Sequence, residues 1–104
     1  MIRLDINARG SKWWYKDDQL HRTNGPANVF ATGYQVWYLR NQVHRTNGPA
    51  IITTTGDQHW FYNDKKHRDN GPAIIYSNGL VRYWYNGYQV TEYEYMFLTK
   101  DIHD

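Results

Sequence analysis

The sequence predicts an all-β protein: tandem antiparallel β-hairpins with a 23-residue period, forming an elongated sheet or a solenoid, closed by a short C-terminal capping helix. Three observations predict it. The phrase His-Arg-Thr-Asn-Gly-Pro-Ala stands at residues 21–27 and again at 44–50, and His-Arg-Asp-Asn-Gly-Pro-Ala follows at 67–73. Gly10, Gly33, Gly56 and Gly79 keep the same spacing, with no insertion or deletion. Each period also carries three turn signals, which leaves no room for a helix before Thr91.

The elements follow in order. Residues 1–9 form a partial repeat with one strand, in which Ile6 shares the register of Val29, Ile52 and Ile75. Residues 10–90 hold the hairpin repeats. In a typical one, Pro49 to Thr54 is β-branched and strand-like. Thr55-Gly56 is a two-residue turn candidate, and Asn78-Gly79 is its counterpart one repeat later. Asp57 to Tyr62 is the return strand, and Asn63-Asp64 turns the chain again, as Asn86-Gly87 does in the next repeat. A stub from Lys65 to Arg68 leads to the corner Asn70-Gly71-Pro72. Seven to nine strands of about 4–6 residues are expected.

The corner phrase has a chemical grammar. Asn-Gly supplies left-handed backbone. Proline lacks an N–H and suits the first residue of a strand. Alanine leaves room for a neighbouring ring to lie flat. Units of this kind stack into a one-dimensional array with a continuous core.

Residues 91–104 differ from the repeats. Thr91-Glu92-Tyr93-Glu94 reads as a capping box, and Tyr93, Met96, Phe97 and Lys100 run at helical spacing. The expectation is a helix over roughly Glu92 to Lys100, covering the open edge of the last hairpin. The opposite edge, Ile2 to Ile6, has no such cover and is open to a second copy, as a homodimer, or to another partner.

Composition sets the outer bounds. A chain of 104 residues is one domain by default. Five Trp, ten Tyr and three Phe supply a thin core of rings rather than a thick aliphatic one. A net charge of +2 is too balanced to recommend nucleic acid as an electrostatic partner. The absence of cysteine excludes disulfides and thiolate zinc sites and fits a reducing compartment. No apolar stretch reaches the ~18 residues of a membrane span, and the first residues are no signal peptide. These features predict a cytoplasmic protein without a membrane partner.

The hairpin repeat resembles the variant MORN-type repeats of bacteriophage, bacterial and giant-virus proteins. The likeness rests on a Trp/Tyr pair, an Asn-Gly turn and then His-Arg-x-Asn-Gly-Pro-Ala, and it covers about Gly10 to Gly87. It implies a hairpin array used for binding. For a phage member it implies a small accessory protein that acts in the host cytoplasm on host factors, defence systems among them. The chain departs from the pattern where Asp17-Asp18 replaces the Asn-Gly turn and where Val90-Thr91 replaces His-Arg.

Two sets of residues are candidates for binding. The first is the aromatic row Trp14, Trp37, Trp60 and Tyr83. Its neighbours in the chain, Tyr15, Tyr38, Phe61 and Trp84, point to the opposite face. If the Gly turns are two-residue turns, the Tyr15 row packs on Ala27, Ala50 and Ala73, and the Trp14 row lines the other face as an exposed stripe. A one-residue slip swaps the rows, and a strong twist half-buries both. The second set is a weaker cationic row: His21 and Arg22, His44 and Arg45, His67 and Arg68. It could grip phosphate or carboxylate. Its repetition in every internal unit favours a corner hydrogen bond that recurs because the fold recurs.

A metal shared by the three histidines is disfavoured, since two strands per repeat separate them by about 9.6 Å. Lys12, Arg40, Lys65, Lys66 and Arg82 among the rings could support nucleotide stacking, as a minor reading. No catalytic constellation emerges: Ser11 and Ser77 lie in no nucleophile motif, and Asp101, His103 and Asp104 read as a solvated terminus. The expected function is a non-enzymatic binding protein without cofactor or metal, a phage-encoded inhibitor or adaptor that recognises a host protein. The alternative is a small-ligand trap that sequesters a nucleotide-like signal molecule.

Overall fold

The structure, a computed structural model, describes residues 1–103 and the side chains of residues 1–100. The side chains of Asp101, His103 and Asp104 therefore lie outside the described residues. The fold is all-β with one C-terminal helix. Its strands are β1 (Ile2–Ile6), β2 (Lys12–Lys16), β3 (Gln19–Leu20), β4 (Asn28–Val29), β5 (Gln35–Val36), β6 (Tyr38–Leu39) and β7 (Gln42–Val43). They continue with β8 (Ile51–Ile52), β9 (Gln58–His59), β10 (Phe61–Tyr62), β11 (Lys65–Lys66), β12 (Ile74–Ile75), β13 (Val81–Tyr85) and β14 (Tyr88–Val90), and the helix α1 spans Glu92–His103.

One open sheet runs β1-β2-β4-β5-β8-β9-β12-β13-β14, with β3 attached to β2. Each internal repeat adds two strands to it, an advance of about 9.6 Å per repeat. The molecule is accordingly elongated, 46 × 30 × 19 Å. Two further hairpins, β6-β7 and β10-β11, hang beside the main sheet.

The strands are more numerous and shorter than the sequence suggests. The segment expected as one return strand divides at its tryptophan. Gln58 and His59 pair within the main sheet, whereas Phe61 and Tyr62 pair with Lys66 and Lys65 in a side hairpin. Trp60 sits at the bend, and Trp37 does the same one repeat earlier.

The glycine turns differ from expectation in a way that fixes the register. At the glycine turns, Thr53 pairs with Asp57, and the Gly56 N–H donates to the Thr53 carbonyl at 3.0 Å. The loop is therefore Thr54-Thr55-Gly56, three residues with the glycine at φ 93°. Asn78 is not left-handed, and Gly79 carries the positive φ alone. The two-residue left-handed turns stand at Asp17-Asp18, Arg40-Asn41, Asn63-Asp64 and Asn86-Gly87, among them the turns expected at 63–64 and 86–87. Positive φ at both positions is the type I′ geometry that matches strand twist.

The helix begins as a reciprocal capping box. The Glu94 N–H donates to Thr91 Oγ1 at 3.1 Å, and the Thr91 N–H donates to Glu94 Oε1 at 2.9 Å. Its packing face is not the expected one: Tyr95 and Thr99 are buried, while Tyr93, Met96 and Phe97 remain exposed. Tyr95 lies 4.9 Å from the Tyr83 ring, and its hydroxyl donates to the Arg68 carbonyl and accepts from the Gly71 N–H at 3.0 Å. The helix thus docks on β13 and on the last corner, because Tyr95 finds there two backbone partners and a ring. Among the described residues no helix is long and apolar enough to cross a membrane.

Candidate functional site

The three-residue glycine loops shift the register by one residue and so reverse the faces. Across the glycine loop Ile52 faces Gln58 and Ile51 faces His59, so that Ala50 comes opposite Trp60, and across β5-β8 Gln35 faces Ile52 and Val36 faces Ile51. The next pair in that register is Trp37 with Ala50, joined by a 2.7 Å bond from the Trp37 N–H to the Ala50 carbonyl. Trp14 with Ala27 and Trp60 with Ala73 repeat it at the same distance. Directly opposed residues share a face, so the Trp14 row, not the Tyr15 row, lies with Ala27, Ala50 and Ala73. All three alanines are 0 % exposed. Both aromatic rows are half-buried, so neither is a bare stripe.

Each tryptophan is capped by the arginine of its own repeat. The guanidinium carbons of Arg22, Arg45 and Arg68 stand 3.9, 4.0 and 4.0 Å from the ring centroids of Trp14, Trp37 and Trp60. Each Nη1 donates to the carbonyl of Pro26, Pro49 or Pro72 at 3.0–3.2 Å. The corner glycine closes the other side. A Cβ at Gly48 would fall 2.8 Å from Arg45 Cζ, and Gly25 and Gly71 are similarly tight. At Gly25 and Gly48 the glycine is required for this close approach and not for left-handed backbone, which corrects the expectation for the corner. Burial lowers the pKa values of Arg45 and Arg68 from their ordinary value.

The histidines act between repeats. His21, His44 and His67 each accept, at Nδ1, the N–H of the first residue in the next type I′ turn: Arg40 at 3.1 Å, Asn63 at 3.1 Å and Asn86 at 2.8 Å. The second turn residue adds a clamp. The Asn41 N–H donates to the Leu20 carbonyl at 2.9 Å while Asn41 Oδ1 accepts from the Leu20 N–H at 2.7 Å. Asp64 makes the same pair of bonds with Val43. Four turns have three junctions, so the His-Arg pair is needed three times and Val90-Thr91 can replace it in the last repeat. The cationic row is a set of corner and junction bonds. Among the described residues no group of three or more His, Cys, Asp or Glu is placed to hold a metal ion.

Between successive corners the surface is concave. One groove of about 380 Å³ lies between Arg22–Gly25 and Arg45–Asn47, with Trp37, Leu39 and His44 in its lining. A second, of about 610 Å³, lies between Arg45–Gly48 and Arg68–Asn70, lined also by Trp60, Tyr62 and His67. Both are open to solvent, and they are the same site one repeat apart. Trp37, Trp60 and the arginines thus reach the groove surface only as part of its wall, whereas Trp14 and Tyr83 line neither groove. The exposed Thr46 and Asn47 line both grooves, whereas the sequence marks Asn47 only as a turn residue and Thr46 not at all. Their signal was the invariant Thr-Asn inside the first two copies of the phrase. Comparison with known proteins gives no match: no family model, no curated protein and no solved structure matches the chain.

Proposed function

We propose that the chain is a non-enzymatic binding protein that holds an extended segment of a partner protein along its row of corner grooves. The observation that carries this reading is the repetition of one solvent-open groove, walled by Thr-Asn corners and, at the last, by Asp69-Asn70, with a tryptophan in its lining, at the pitch of the sheet. That pitch is about 9.6 Å, and a polyproline-II segment advances about 9.3 Å per three-residue turn. One ligand turn per groove is geometrically natural. Aromatic-lined grooves suit this conformation because it is already extended and loses little entropy on binding.

In keeping with the resemblance to phage repeat proteins, we propose a host protein as the partner, in the host cytoplasm, with inhibition or adaptor activity as the outcome. The nucleotide-trap alternative has the groove volume in its favour, since about 610 Å³ is within the range of ligand sites. Against it, each arginine already donates Nη1 to a proline carbonyl and is stacked on a ring.

Substituting Trp37 or Trp60 would test the fold together with the site, because both rings lie beneath the corners. Thr46→Arg is the better probe, since Thr46 is exposed and lines both grooves. Tagged wild type should retain a stoichiometric protein from bacterial lysate, and Thr46→Arg, melting at the wild-type temperature, should release it. Equal retention by both would move the contact away from the grooves. A co-purifying small mass on the native chain, with no protein, would favour the ligand trap.

A further inference from the structure

We infer that two copies of this chain pair edge to edge through β1, antiparallel about a two-fold axis at Leu4. The strand is five residues long, is the outer strand of the sheet and is exposed throughout. Ile2, Leu4 and Ile6 are 76, 44 and 58 % exposed on one face. The strand Ile-Arg-Leu-Asp-Ile carries neither proline nor bulge, and its only charges, Arg3 and Asp5, are of opposite sign and so guard the edge against other strands more than against its own copy.

The direction of the free backbone groups follows from the β1-β2 ladder. The Asp17 N–H donates to the Met1 carbonyl and the Asn7 N–H to the Ser11 carbonyl, each at 3.0 Å. Hydrogen-bonded pairs alternate along an antiparallel ladder, so residues 1, 3, 5 and 7 bond toward β2. The N–H and C=O groups of Ile2, Leu4 and Ile6 therefore point away from the sheet. Outward-bonding residues must face one another across a new junction, which leaves three central registers. Centring the axis on Arg3 opposes two arginines, and centring it on Asp5 opposes two aspartates. Centring it on Leu4 opposes Arg3 to Asp5 of the second copy at both places, sets Ile2 against Ile6, and sets Leu4 against itself.

In that register the charged residues occupy the non-hydrogen-bonded pairs, where side chains approach most closely. Both charges are half-exposed and already near each other in one chain, with Arg3 Nε 3.2 Å from Asp5 Oδ1. The pairing joins the four into an alternating network, to which the Asp18 of each chain, 3.1 Å from Arg3 Nη1, also belongs. The strand alone buries less than a standard interface of about 1,600 Å², so the dimer should be concentration-dependent, forming in the micromolar range.

Sedimentation of the full chain over a concentration series tests this. Wild type should shift from monomer to dimer. Arg3→Asp alone, and Asp5→Arg alone, should each weaken self-association about tenfold or more, since each opposes like charges. An equimolar mixture of these two variants should restore a dimer, now a heterodimer, because each aspartate again faces an arginine. Leu4→Pro removes an outward N–H without touching the β1-β2 ladder and should be monomeric. A wild-type monomer at every concentration would overturn the proposal. So would a dimer that persists in Leu4→Pro or in the single charge variants, or a mixture that stays monomeric. Rescue in the mixture cannot come from refolding, since both chains keep their own substitution.

Discussion

The guanidinium of Arg45 lies 4.0 Å above the centre of the Trp37 ring and donates to the carbonyl of Pro49 at 3.0 Å. This single contact ties the return strand of a repeat to the corner of the same repeat. Its copies at Arg22 and Arg68 make the corner phrase a structural unit rather than a sequence habit.

Arg45→Ala should cost about 1–3 kcal/mol in a urea melt, from the lost stack and the lost bond to the proline carbonyl. Arg45→Lys should recover little, since an ammonium offers neither the plane nor the fork. Gly48→Ala should also destabilise wild type, because its Cβ would meet Arg45 Cζ at 2.8 Å. In the Arg45→Ala background the same change should be nearly neutral. Simple additivity of the two costs would remove the sandwich from the account of the corner.

Arg40 holds φ 49° in a type I′ turn, a conformation that asparagine and glycine tolerate and most residues do not. Arg40→Asn should therefore stabilise the chain by about 0.5–1 kcal/mol. The backbone donor to His21 is untouched by the change. The expected reading is a higher urea midpoint with an unchanged slope.

Stability should fall with acid before the carboxylates titrate. His21 has a pKa below its ordinary 6.5, first because it is desolvated and then because Lys16 and Arg40 lie nearby. Its Nδ1 also accepts a hydrogen bond, which protonation there would abolish. The unfolded chain therefore binds the proton more readily than the folded one. The contribution is fully present above about pH 6.5 and is lost as pH falls from there through the folded pKa. His59 shifts the same way, by desolvation and then Lys66. A melting temperature that stays flat between about pH 7 and 5 would contradict this, and His21→Gln should reduce the slope.

Tyr95→Phe should loosen the helix from the sheet. The hydroxyl bonds both the Arg68 carbonyl and the Gly71 N–H, and its loss leaves that N–H without its partner. A cost of about 1–2 kcal/mol is expected, with faster amide exchange across α1. Protection equal to wild type would mean that ring packing on Tyr83 suffices.

Much of this architecture was legible in the chain. The period, the corner phrase, the capping box at Thr91 and the uncovered strand Ile2–Ile6 all follow from local chemistry: turn residues, β-branched runs and a reciprocal cap. These signals are carried by residues close together in sequence, so no partner from elsewhere is needed to read them. The open form of the sheet, the face of each aromatic row and the purpose of the corner glycine were not legible. The corner glycine depends on where the arginine folds back. The faces depend on one extra residue in the glycine loops, since a two-residue and a three-residue loop share the same Thr-Gly or Asn-Gly signature yet place every following side chain on opposite faces. The grooves depend on it too. Thr46 and Asn47 form a wall only because the sheet sets a second corner beside theirs, a distance that only the stacked strands decide.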